Sequence, residues 1–143
     1  MKNTTLMFAY GMNTNTVGMS IRCPKAQDLG KAELLDHKMV FKYHCDVIEM
    51  PGHNAPGVLW KITKTCLASL DVLEGFPVYY KRKYVTVLHN GKKVNALVYY
   101  MVDGHTQEQP DAGYYDMVLQ GYNEHGISEE PLVAGLPKVF YPI

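Results

Sequence analysis

The run Tyr79-Tyr80-Lys81-Arg82-Lys83-Tyr84-Val85-Thr86-Val87-Leu88, the turn His89-Asn90-Gly91-Lys92 and the run Val94 to Val102 together decide the fold. Both runs are rich in Tyr and Val, residues that fit a pleated, half-buried surface. Asn-Gly between them offers two residues that tolerate positive φ, as a two-residue hairpin turn demands. The stretch predicts two antiparallel strands. Just upstream, Thr63 fits an N-cap, and Leu67, Leu70, Asp71 and Glu74 recur at helical spacing. Gly75 stands where that helix would end, and Pro77 forbids its continuation. Downstream, Asp103 to Asp111 reads as a polar loop. Ala112 to Glu124 reads as a helix with Tyr114, Met117, Val118, Gly121 and Tyr122 along one side, closed by Gly126.

Further toward the N-terminus, Thr5 to Tyr10 is a short apolar run stopped by Gly11, a buried strand. The turn-rich Gly11 to Thr16 can open a helix at Asn13 or Thr14. Leu34 to Tyr43, Cys45 to Met50 and Val58 to Ile62 read as strands, and Pro51 to Gly57 as a loop by composition. The tail from Ile127 to Ile143 reads as a short helix and an extended end. Strands and helices mix without a βαβ rhythm. The class is therefore α+β, with a curled, mostly antiparallel sheet and outer helices, as one domain over residues 1–143.

Composition removes several classes. Lys+Arg and Asp+Glu are 14 each, a formal net charge of zero, which speaks against a phosphate-backbone binder. No apolar run approaches the ~20 residues of a membrane span. The apolar stretch after the first five residues is too short for a secretory signal, which leads to the expectation of a cytoplasmic protein. Cys23, Cys45 and Cys66 are odd in number and widely spaced, and read as reduced thiols. The six histidines show no metal-ligand spacing. His44-Cys45-Asp46 with His53 is a poor metal set, because neighbours on a strand point to opposite faces. The expectation is no metal and no cofactor.

Three stretches carry candidate chemistry. In Phe8-Ala9-Tyr10-Gly11-Met12-Asn13, a strand ending in a glycine turn and a helix start gathers backbone N–H groups able to hold a carboxylate or phosphate. The same pattern also serves as a plain tight turn. In Leu70-Asp71-Val72-Leu73-Glu74-Gly75, Glu74 sits at the negative end of a helix macrodipole, which favours its neutral form. Partial burial would add to that effect and suit the residue to accept and return a proton. An exposed helix-end Glu would do nothing. In the strand from Tyr79, alternation puts Tyr80, Arg82 and Tyr84 on one face with Lys81 and Lys83 outward. Arg82 either clamps a carboxylate with a bidentate pair or only orders the strand.

Taken together these pieces resemble the gamma-glutamylcyclotransferase-like family. Tyr10-Gly11-Met12-Asn13 stands where the family has Tyr-Gly-Ser-Asn. Gly57-Val58-Leu59-Trp60, Leu70-Asp71-Val72-Leu73-Glu74-Gly75 and Tyr80-Lys81-Arg82-Lys83-Tyr84-Val85-Thr86-Val87 follow in the family's order. Tyr114, Gly121, Glu124 and Gly126 complete it, so the likeness runs from about Leu6 to Ile127. The run from Glu74 to Arg82 is closer to the γ-glutamylamine branch, which leans toward a substrate such as γ-glutamyl-lysine.

The resemblance implies a curled β-barrel or roll with a cavity at one end, and a reaction without metal or cofactor. The α-amine of a γ-glutamyl group attacks its own side-chain amide carbonyl, 5-oxoproline forms, and an amine or amino acid leaves. Glu74 would be the general acid/base. Tyr10, Gly11, Met12 and Asn13 would hold the α-carboxylate or the oxyanion, and Tyr80 and Arg82 would complete substrate binding. Met12 replaces the family's Ser and removes its hydroxyl, leaving the backbone N–H. The alternative is an inactive protein of the same fold that binds or sequesters a small anion. The sequence does not state the oligomeric form.

Overall fold

In the computed structural model, residues 3–138 are described. Five strands close a barrel in the order β1-β3-β2-β4-β5. They are β1 (Thr4–Ala9), β2 (Gln27–Lys42), β3 (His44–Thr63), β4 (Tyr80–His89) and β5 (Lys92–Met101). Every pairing is antiparallel except the closure, where Met7 of β1 meets Leu97 of β5 in parallel. The hairpin forms as the sequence predicts. His89 pairs Lys92, and Asn90 and Gly91 both take positive φ (50° and 77°).

One expectation fails in the sheet. Pro51 to Gly57 is not a loop but the middle of β3, paired with β2 through Asn54–Leu35, Ala55–Leu34 and Pro56–Glu33. A register shift between Leu35 and His37 lets the long strand bend past these residues. Pro and Gly here mark an irregular, exposed stretch of strand. This stretch forms no wall of the cavity described below. The unbroken β4–β5 register keeps Tyr80, Arg82 and Tyr84 on one face as alternation predicts, but Tyr84 is 63% exposed while Tyr80 is buried.

The helices lie outside the barrel. A 3-10 turn (Met12–Thr14) follows β1 and leads into α1 (Thr16–Arg22), which starts two to three residues later than the sequence suggests. Asn15 caps α1, its side chain accepting from the Gly18 N–H at 3.1 Å. Next comes α2 (Lys64–Glu74), capped by Thr63, whose hydroxyl accepts from the Cys66 N–H. Gly75 ends α2 with φ 65°, a left-handed cap that glycine adopts without cost from a Cβ. The last two are α3 (Ala112–Glu124) and the short α4 (Glu130–Gly135). Cys66, Leu70 and Glu74, at i, i+4 and i+8, are the buried residues of α2. The stripe that docks this helix on the core therefore ends in a carboxylate. The extended end expected for the tail falls largely outside the described residues. No described helix is long and apolar enough to cross a membrane.

The cysteines correct the sequence reading. Cys23, just after α1, and Cys66, in the first turn of α2, form a disulfide, and Cys45 is the free thiol. The odd count hid a pair that the fold brings together from 43 residues apart. The support that three reduced thiols would give to a cytoplasmic location is thereby withdrawn.

Candidate active site

The end of β1, the 3-10 turn, the start of β3, the end of α2, the start of β4, β5 and α3 enclose a cavity of about 240 Å³. Tyr10, Gly11, Met12, Asn13, Glu74 and Tyr80, all singled out in the sequence, line it. Arg82 does not. Its guanidinium makes a bidentate pair with Asp71, Nε to Oδ1 at 2.9 Å and Nη2 to Oδ2 at 3.1 Å, and lies over the Phe76 ring. Arg82 is thus a clamp between β4 and α2 and leaves no fork for a substrate carboxylate.

Glu74 is 7% exposed. Burial raises its pKa to about 7, against the opposing pull of the Asn13 hydrogen bond and the Arg22 charge. The Asn13 amide Nδ2 donates to Glu74 Oε1 at 3.3 Å. Asn13 is itself held at its carbonyl by the Trp60 indole N–H at 2.9 Å. Two other carboxylates lie nearby and are spent. Asp46 accepts from Met101 N–H and Val47 N–H and pairs with Lys42 at 2.7 Å. Asp71 accepts from Arg82 and from the Tyr99 hydroxyl; burial pushes its pKa upward, but these partners hold it below the ordinary value. Glu74 is the acid in the cavity wall with its proton balanced near neutrality.

The tyrosine hydroxyls are mostly committed to structure. Tyr10 donates to the Tyr99 carbonyl at 2.6 Å, Tyr80 to the Cys45 carbonyl at 2.6 Å, and Tyr122 to the Tyr10 carbonyl at 2.7 Å. The Tyr80 hydroxyl is thus already committed to a backbone carbonyl. Tyr114 is tied to Cys45: its oxygen accepts from the Cys45 N–H at 3.0 Å, and its hydroxyl also bonds the Cys45 thiol. That hydroxyl lies 3.3 Å from where a Cβ on Gly11 would stand, and the Cys45 Cβ is 3.0 Å from the same point. A side chain at position 11 would press on the cavity wall. The 3-10 turn closes with Thr14 N–H to Gly11 O and Asn15 N–H to Met12 O. Its N-terminal amides at Gly11, Met12 and Asn13 are the orphan donors of such a turn.

The pattern reading missed Arg22, His44, Cys45, Leu73, Tyr79 and Tyr99 as neighbours of the site. His44 Nδ1 and the Tyr79 hydroxyl are 2.8 Å apart at the cavity edge. Burial lowers the His44 pKa and raises the Cys45 thiol to about 12, so neither is charged at neutral pH. Among the described residues no three His, Cys, Asp or Glu side chains converge as a metal site.

Residues 7–117 match the family described as Gamma-glutamyl cyclotransferase, AIG2-like. The chain belongs to that family. It is an enzyme of the gamma-glutamylcyclotransferase type by this membership. Bovine and mouse proteins named gamma-glutamylcyclotransferase are 30% and 28% identical to it, covering 87% and 89% of this chain and 73% and 74% of theirs. A solved structure of a gamma-glutamyl cyclotransferase superposes with a TM-score of 0.83 at 27% identity, over 96% of this chain and 90% of that one. The curled barrel with outer helices is the fold of these relatives, and the cavity with Glu74 at its edge lies within the matched residues.

Proposed function

We propose that this cavity closes a γ-glutamyl group on itself, releasing 5-oxoproline and a free amine or amino acid, with Glu74 as the general acid/base. The observation that carries the reading is a buried carboxyl with a pKa of about 7 in the wall of the cavity. Ionised Glu74 takes a proton from the α-ammonium. The freed nitrogen attacks the γ-carbonyl carbon and forms the ring C–N bond, and the second proton this nitrogen then carries passes to the departing side-chain nitrogen as the ring becomes a lactam. The tetrahedral carbon expels the side-chain nitrogen, which takes this proton and the one Glu74 returns and leaves as an ammonium. Nucleophile and electrophile belong to one molecule, so the protein's main task is to hold a bent pose. The amides of the Gly11–Asn13 turn are the donors for the α-carboxylate or the developing oxyanion. No step calls on a metal or cofactor.

The test is Glu74→Gln. The variant keeps its fold by circular dichroism and loses at least ~10²-fold in 5-oxoproline release, the scale of a general base. Release equal to the parent's overturns the assignment. Met12 favours a second reading, binding without turnover, because it fills the wall where a hydroxyl would otherwise stand. Recovery of intact γ-glutamyl ligand after long incubation with the parent protein would support that reading. Arg82 lies outside the cavity, whereas Glu74, Tyr79 and Tyr80 of the same run line it. The substrate panel should therefore set γ-glutamyl amino acids beside γ-glutamyl amines.

A further inference from the structure

Arg22 has no part in the mechanism above, yet it is tied to it. It is the last residue of α1, and its guanidinium folds back over Gly18 toward the 3-10 turn. Nε donates to Asn13 Oδ1 at 3.1 Å, and Nη2 reaches the Met12 carbonyl at 3.4 Å. Holding Oδ1 in this way leaves Nδ2 as the atom that Asn13 presents to Glu74. The space is provided by a missing side chain: a Cβ on Gly18 would stand 2.7 Å from Nη2.

We propose that Arg22 is a positioning residue of this site, fixing the Asn13 amide and, through it, the Glu74 carboxyl. The inference rests on the reading of Glu74 as acid/base. The other groups that face Glu74 carry no compensating charge. Tyr10 just after β1, Cys45 from β3, Tyr79 just before β4, Tyr80 from β4, Tyr99 from β5 and Tyr114 from α3 are all pushed upward by burial and stay neutral near pH 7. His44 is pushed downward and is neutral there too. Asp46 and Asp71 have their own cations in Lys42 and Arg82. Arg22 is the cation whose field favours the ionised form of Glu74.

The experiment compares the parent with Arg22→Gln, Arg22→Lys, Gly18→Ala and Glu74→Gln. It uses two readouts: the pH profile of kcat/KM for 5-oxoproline release, and the Glu74 carboxyl titration by carbon NMR without substrate. Arg22→Gln should raise the Glu74 midpoint by about one pH unit and cut turnover at pH 7 about fivefold, a deficit that shrinks as pH rises. Arg22→Lys, which keeps the charge but not the fork, should hold the midpoint near the parent's. Gly18→Ala strengthens the helix and displaces the guanidinium, so it should repeat the Arg22→Gln shift in a fold at least as stable. It decides the matter if Arg22→Gln fails to fold. A midpoint unchanged in Arg22→Gln and Gly18→Ala, or a loss equal at every pH, overturns the proposal. Turnover surviving in Glu74→Gln sinks the acid/base reading instead, while the NMR midpoints still decide the role of Arg22.

Discussion

Glu74 couples catalysis and stability at a single residue. Its pKa is about 7 in the folded chain and near 4.5 when exposed. The folded state therefore binds the proton more tightly, and stability falls as pH rises through that window. Below pH 4.5 the group costs nothing; above pH 7 the full penalty, about 3 kcal/mol, applies. Glu74→Gln should thus unfold at higher temperature than the parent at pH 8, and the gain should vanish toward pH 4. Equal melting at both pH values would show that the carboxyl is not held in a desolvated place. The position of Glu74 was legible in the sequence from helical spacing and Gly75. Its burial was not, because the residues that cover it come from six other elements.

At the level of elements, the Arg82–Asp71 clamp joins β4 to α2, and Asp71 also accepts from Tyr99 of β5. Arg82→Met leaves Asp71 with Tyr99 alone. It should destabilise the protein by about 1–3 kcal/mol, the scale of a charge-assisted bond lost from a partly screened site. Because the clamp lies outside the cavity, kcat should change less than twofold; a loss comparable to that of Glu74→Gln would return Arg82 to the substrate. The elements themselves were read unevenly. Asn90-Gly91, the Thr63 cap and the 112–124 helix carry local signals strong enough to stand alone. Pro51 to Gly57 looked like a loop because composition cannot show that a register shift lets β3 run on. Arg22 carried no signal, since its partners lie on the turn before its own helix.

For the whole molecule, the Cys23–Cys66 bridge encloses all of β2 and β3 in a loop of 43 residues' separation. Chain entropy alone assigns such a link about 4 kcal/mol, or roughly 10 °C in Tm for a domain of this size. Cys23→Ser with Cys66→Ser should melt lower by about that amount, and a dithiol should lower the parent's Tm alike; an unchanged Tm in both would deny the bridge. The count of three cysteines could not reveal it, because pairing is decided by where α1 and α2 meet. The barrel also holds the chain's single tryptophan. Its indole N–H grips the carbonyl of Asn13, so the only strong ultraviolet emitter in the protein is wired to the turn that would meet a ligand. Titrations could then be followed by light, without label, even in a variant that performs no chemistry.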